Sequence, residues 1–176
     1  TAPSEIIPGA VLSPFGASGS ITREVWTGVT GTTISAIPVT TTPNITDTIT
    51  SFEVPINAAD NYGTRVRGYL TAPATGPYTF WVSGDDNCEL WLSTDGSSTN
   101  KVRLATVNSW TNSREWTRES NQKSVPINLT GGQNYYIEAL QKEGGGGDSL
   151  AVGWSKPGES TTAPSEIIPG AVLSPF

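Results

Sequence analysis

The chain has no histidine and one cysteine, Cys88, so the side chains left for chemistry are carboxylates, hydroxyls and amides. Ser-His-Asp and Cys-His catalysis and any histidine-ligated zinc or copper site are excluded by this inventory. Carboxylate and carbonyl oxygens favour calcium or magnesium over transition metals. Two loops concentrate such oxygens: Gly84-Asp85-Asp86-Asn87, with adjacent carboxylates between apolar runs, and Glu143-Gly144-Gly145-Gly146-Gly147-Asp148, with four glycines between two acids. Glycines free the backbone to bend its carbonyls inward. Adjacent like charges repel in a folded loop unless a cation lies between them. Each loop alone also has the composition of an ordinary solvated turn, but together they suit Ca2+, which needs about six to eight oxygens.

Strands must hold these loops. Among 176 residues, 19 Gly, 13 Pro and only 15% charged side chains describe short strands and many turns. Thr64–Thr71 alternates Val66, Gly68 and Leu70 with Arg65, Arg67 and Tyr69, and Tyr78–Ser83 alternates in the same way, ending at the Asp-Asp loop. Further strands are predicted at Thr22–Val29, Thr48–Val54, Cys88–Ser93, Lys101–Val107, Lys123–Leu129, Asn134–Lys142 and Ser149–Ser155, with a hairpin cue at Asp95-Gly96. The fold class is all-β, an antiparallel sandwich or barrel. Cys88 is expected as a buried small hydrophobe, and Trp91 and Trp154 as core. Trp110 and Trp116 fall in a polar loop and are candidates for a pocket wall or a neighbour contact.

The net charge is −6 and the pI about 4.5, which argues against nucleic acid and against anionic membrane surfaces. No run of 18 apolar residues crosses a membrane, so no membrane insertion is expected. There is no Met, and the targeting signal is expected outside this stretch.

Thr1–Phe15 recurs without change as Thr162–Phe176, a spacing of 161 residues. An identity of this length points to a tandem repeat with its joining segment at both ends, the alternative being two similar linkers that happen to fall in one stretch. It divides the chain into a joining segment at 1–15, a domain at 16–161 and the second joining segment at 162–176. The segment is too apolar for a solvated spacer and too rich in proline for a helix. Ile6, Ile7, Val11, Leu12 and Phe15, and their counterparts Ile167, Ile168, Val172, Leu173 and Phe176, are therefore the candidate docking and assembly residues.

From Arg67 to Trp154 the sequence GYLTAPATGPYTFWVSGDDNCELWLSTD, followed by YYIEALQKEGGGGDSLAVGWSKPG, resembles the protective-antigen-fourteen domain, found in flocculins, bacterial adhesins and beside glycosidases. Strand, Asp-Asp loop, hairpin, aromatic strand and Gly-rich loop occur in the family's order. The resemblance implies a jelly-roll type sandwich whose two loops hold Ca2+ and form a sugar pocket. It implies that Asp85 and Asp86 match paired aspartates joined by a cis peptide, that Asp148 is the second loop's side-chain ligand, and that carbonyls near Gly146 and Gly147 complete the shell. Sugar contacts would then come from Asp85, Asp86, Asn87, Glu143 and Asp148, with Trp110 and Trp116 as stacking candidates.

The reading is a non-catalytic, calcium-dependent carbohydrate-binding module, one repeat of an extracellular or cell-surface adhesin. The tandem style suggests a bacterial source. Its partners are glycans and neighbouring identical repeats, whose repetition raises avidity. A second reading is a filament subunit assembled through the apolar segments. A third is a glycosidase using Asp85 or Glu143 as acid and base, although the same carboxylates serve better as metal ligands.

Overall fold

A computed structural model describes residues 19–176. The strands in chain order are β1 (Ile21–Thr27), β2 (Ile45–Ile49), β3 (Tyr62–Thr71), β4 (Gly76–Asp85), β5 (Asn87–Ser93), β6 (Lys101–Val107), β7 (Ile127–Leu129), β8 (Asn134–Glu143), β9 (Ser149–Ser155), β10 (Glu166–Ile167) and β11 (Leu173–Pro175). They form an antiparallel β-sandwich. One sheet runs β2-β1-β3-β8-β5-β6, with β11 also paired to β3, and the other runs β10-β9-β4-β7. Alternation along the strands builds the core: Val66, Leu70, Leu90, Leu92, Ile137 and Ala139 of the larger sheet meet Tyr78, Phe80, Val82, Leu150, Val152 and Trp154 of the smaller. The Tyr78 and Trp154 rings lie 5.4 Å apart within this layer.

Several sequence expectations are adjusted by packing. β2 begins at Ile45 rather than Thr48, and the chain then leaves the larger sheet, so that Phe52 exchanges backbone hydrogen bonds with Ile168 and Val152 of the smaller one. Phe52 is fully buried as a result. Trp91 is only half buried, because Leu90 and Leu92 take the inward positions and place it on the outer face beneath Lys101 and Arg103. Asp95-Gly96 is not a two-residue hairpin. Pairing of β5 with β6 resumes only at Lys101, and the Asp95 carboxylate ties the intervening loop by accepting from Ser97 N–H at 2.7 Å and Asn100 Nδ2 at 2.8 Å. Trp154 and Cys88 are buried in the core.

The segment Thr162–Phe176 lies on its own domain. Ile167 pairs with Gly153 of β9, Leu173 with Leu70 of β3, Ile168 and Leu173 are fully buried, and Val172 packs on the core. Phe176 is half exposed and stacks on Tyr69 at 6.0 Å with the Arg67 guanidinium 3.8 Å from its ring. Ile6, Ile7, Val11, Leu12 and Phe15 lie outside the described residues.

Candidate metal centre

The connection from β4 to β5 and the connection from β8 to β9 each cross from one sheet to the other at the same end of the sandwich. Because β4 pairs with β9 and β5 with β8, Asp85 sits opposite Ser149 and Asn87 opposite Lys142. This pairing lays the Asp-Asp loop against the Gly-rich loop. The Asp85–Asp86 peptide bond is cis. One carboxylate oxygen each from Asp85, Asp86 and Glu143 lie within 4.8 Å of one another. The loops are tied by Gly144 N–H donating to Asp86 Oδ2 at 2.9 Å and by Gln141 Nε2 donating to the Asp85 carbonyl at 2.6 Å.

Glycine suits the backbone where the loops meet. A Cβ at Gly144 would lie 3.2 Å from Asp86 Oδ2, and Gly146 has a φ of +117°, in the region L side chains rarely adopt. A Cβ on Gly147 would lie 3.6 Å from Asp85 Oδ2, which places that backbone beside the carboxylate cluster.

Glu143 is fully buried, and among the described residues neither of its carboxylate oxygens has a well-formed hydrogen bond. Asp148 is also buried; its Oδ2 accepts from Ala59 N–H at 3.1 Å, while its Oδ1 lacks such a partner. Burial pushes the Glu143 carboxyl up to about 7, assisted by the charges of Asp86, Asp85 and Asp148, with the Asp86 backbone N–H opposing most weakly. Asp85 is pushed up to about 6, by burial first and the Asp86 charge second. Lys142, also buried, donates its Nζ to the Glu143 backbone carbonyl, and burial lowers its pKa. Buried carboxylate oxygens without donors are costly unless a cation satisfies them. Such an all-oxygen set fits a hard divalent ion.

A second support comes from the stretch before β3, to which sequence patterning assigned no role. Asn57 N–H donates to the Asp148 carbonyl at 3.0 Å, Asp60 Oδ1 accepts from Gly146 N–H at 3.1 Å, and Asn61 N–H donates to the Gly144 carbonyl at 3.2 Å. Asn57 and Asn61 both take positive φ, 54° and 55°. The signal was present as two asparagines flanking an aspartate, a composition tolerant of left-handed turns, but its target loop lies more than eighty residues away.

Of the candidate residues, Asp85, Asp86, Glu143, Gly147 and Asp148 come together. A cleft of about 220 Å³ opens beside them, lined by Asp85, Gly147 and Asp148 with Ile56, Asn57, Thr111, Asn112, Ser113 and Ser149. Trp110 joins them through a backbone pairing with Asp85, is 40% exposed, and carries the Arg118 guanidinium 3.4 Å from its ring. Asn87 lines a different cleft, of about 440 Å³, with Thr33, Ile37, Glu89 and Leu140. Trp116 is half buried and lines neither cleft. Thr111, which sequence patterning did not single out, is buried and anchors the Trp110 loop by donating N–H to the Gly84 carbonyl at 2.7 Å and accepting from Gly84 N–H at 3.0 Å.

Comparison with known proteins agrees with this architecture. A mouse N-acetyl-beta-glucosaminyl-glycoprotein 4-beta-N-acetylgalactosaminyltransferase 1 is 38% identical over 99 residues, which is 53% of this chain and 10% of the transferase. The chain thus matches only a small part of that relative. A PA14 sugar-binding domain from an RTX adhesin superposes with a TM-score of 0.68 at 14% identity, covering 91% of this chain and 100% of that one. The Epithelial Adhesin 6 A domain of Candida glabrata, solved in complex with Galb1-3GlcNAc, superposes with a TM-score of 0.64 at 11% identity, covering 93% and 90%. These likenesses show the fold. The family model described as PA14 domain matches residues 16–167, so the chain belongs to the PA14 domain family.

Proposed function

We propose that this domain is a non-catalytic, calcium-dependent carbohydrate-binding module that works at the cell surface or outside the cell. The observation that carries the reading is the cluster of half-buried Asp85 and Asp86 with the fully buried, donor-poor Glu143, and Asp148 beside it, at the edge of a shallow polar cleft. Asp85, Asp86, Glu143 and Asp148 would hold the ion, with the carbonyls of Gly146 and Gly147. Glu143 thereby serves the metal rather than the sugar, because full burial keeps it from solvent. Bound Ca2+ would supply positive charge and open coordination positions that accept sugar hydroxyls in place of water. The chain's own contribution beyond the ligands is a wall of amide and hydroxyl groups, Asn57, Asn112 and Ser113, to orient a sugar. Trp110, backed on one ring face by Arg118, offers an apolar surface for a pyranose.

The names of two structural relatives, a sugar-binding domain of an adhesin and an adhesin complexed with a disaccharide, support the ligand class. A glycosidase reading is not favoured, since a buried Glu143 cannot reach a substrate in the open cleft. The exact recurrence of Thr1–Phe15 supports one repeat of a tandem adhesin, in which avidity compensates for a shallow site. Burial of Ile168 and Leu173 in their own domain favours this over a filament held by those segments.

Calcium titration calorimetry followed by a glycan array with and without chelator tests the reading. Calcium binding and at least one chelator-sensitive glycan are expected, both lost in Asp86→Ala with the strand content unchanged. A chain that binds no calcium, or binds the same glycans in chelator, refutes it.

A further inference from the structure

The groove that holds Thr162–Phe176 is cut to that sequence. Gly153 is in contact with Pro164, where a Cβ would come within 2.6 Å, and Gly68 leaves room for the Ser174 carbonyl, where a Cβ would come within 2.3 Å. Gly170 is wedged between the carbonyls of Gly19 and Thr50, which a Cβ would approach to 2.3 and 2.4 Å. Ile168 and Leu173 fill the core, and backbone hydrogen bonds from Phe52, Ile168 and Gly19 close the seam. Every one of these features has its counterpart in the first copy: Pro3, Ile7, Gly9, Leu12 and Ser13. The chain thus carries one groove and two segments that match it side chain for side chain.

The tether also permits the exchange. On β3, Thr22 of β1 is paired with Arg67 and Pro175 of β11 with the next residue, Gly68, so β11 ends where β1 begins. Phe176 N–H donates to Thr22 Oγ1 at 3.0 Å, and Gly19 N–H donates to the Leu173 carbonyl at 2.9 Å. If Phe15 took the place of Phe176, the chain would have to return to Gly19 beside the position of Leu173. That is about three strand residues, roughly 10 Å. Four steps from residue 15 to residue 19 reach up to about 14 Å.

We propose that Thr1–Phe15 is the interchangeable second occupant, in the same chain, of the β3–β9 groove that Thr162–Phe176 fills. A groove of this kind is completed equally by the segment before its domain or the segment after it. In a row of such domains each joining segment is then shared, able to complete the unit on either side, and a unit that loses one segment is rescued by the other. This goes beyond carbohydrate binding and does not depend on the metal centre.

The test keeps the full chain. Ile168→Asp with Leu173→Asp disables the second copy, and adding Ile7→Asp with Leu12→Asp disables both. The chain with only the second copy disabled is expected to keep a cooperative melting transition, and the chain with both disabled to lose it. Location is read by crosslinking. Ser174 pairs with Tyr69, and paired antiparallel residues lie within disulfide range, so Ser13→Cys with Tyr69→Cys reports whether the first copy has taken the place of the second. In the Ile168→Asp, Leu173→Asp background an oxidised crosslink within one chain is expected. The proposal is overturned if disabling the second copy alone abolishes the transition, if disabling both leaves the melt unchanged, or if the crosslink forms only between two chains or not at all.

Discussion

Replacing Glu143 by glutamine should stabilise the calcium-free protein while weakening its response to calcium. The side chain is fully buried, and its carboxyl is raised from 4.5 to about 7 by burial and by Asp86, Asp85 and Asp148. A raised folded value means that ionisation opposes folding: the contribution is favourable below about 4.5, and is lost as the pH rises through about 7. At about 1.4 kcal/mol per pH unit, the full cost of the charge above neutrality is at most about 3.5 kcal/mol. Part of that repulsion is shared with Asp85, itself raised to about 6, so about 2 kcal/mol is the working figure. For a domain of this size, about 2–4 °C accompanies each kcal/mol. Glu143→Gln should therefore melt about 4–8 °C higher than the native chain in chelator at pH 8, and most of the gap should close at pH 5, near the value of the unfolded carboxyl. In excess calcium the order should reverse, because the variant has lost a ligand. Differential scanning calorimetry at both pH values, with chelator and with calcium, measures all four cases. A variant that melts below the native chain in chelator at pH 8 and keeps the full calcium shift would refute the assignment of Glu143 as an uncompensated buried charge waiting for a cation.

Calcium at about a hundred times its Kd should raise stability by about 3 kcal/mol without any sugar, and superimposable melts with and without chelator would contradict this. Gly68→Ala should strip β11 from β3, because the new Cβ would lie 2.3 Å from the Ser174 backbone carbonyl, which no side-chain rotation relieves; a lowered melting midpoint with faster amide exchange at Leu70 reports it. Leu90→Ala, at a fully buried core position, should cost about 2–5 kcal/mol by equilibrium urea unfolding. Burial pushes the Cys88 thiol well up, so alkylation should be negligible in native buffer and complete in denaturant.

Local sequence carried the elements and the chemical inventory. Period-two alternation is a local property, so the long strands, β3, β8 and β9 among them, were legible within a residue or two, as was the inward set that makes the core. The absence of histidine left oxygen chemistry, and two acidic loops marked where it would lie. Which of those oxygens meet was settled by long-range pairing. Asp85 and Glu143 are 58 residues apart, and only the pairing of β4 with β9 and β5 with β8 puts their loops at one end of the sandwich. Burial then assigned roles: Glu143 went inside the cluster, Asn87 turned to another cleft, and Trp91 stayed half exposed, because strand alternation fixes faces while only packing fixes which face is covered. The contribution of Asn57, Asp60 and Asn61 showed in the sequence only as a turn-prone composition with no target, since long-range hydrogen bonds to a glycine loop leave no periodic trace. The duplicated segment shows the division most clearly. Identity of the two copies is a fact of sequence, but that one of them is a pair of strands completing both sheets follows from the groove, whose glycines make room for it.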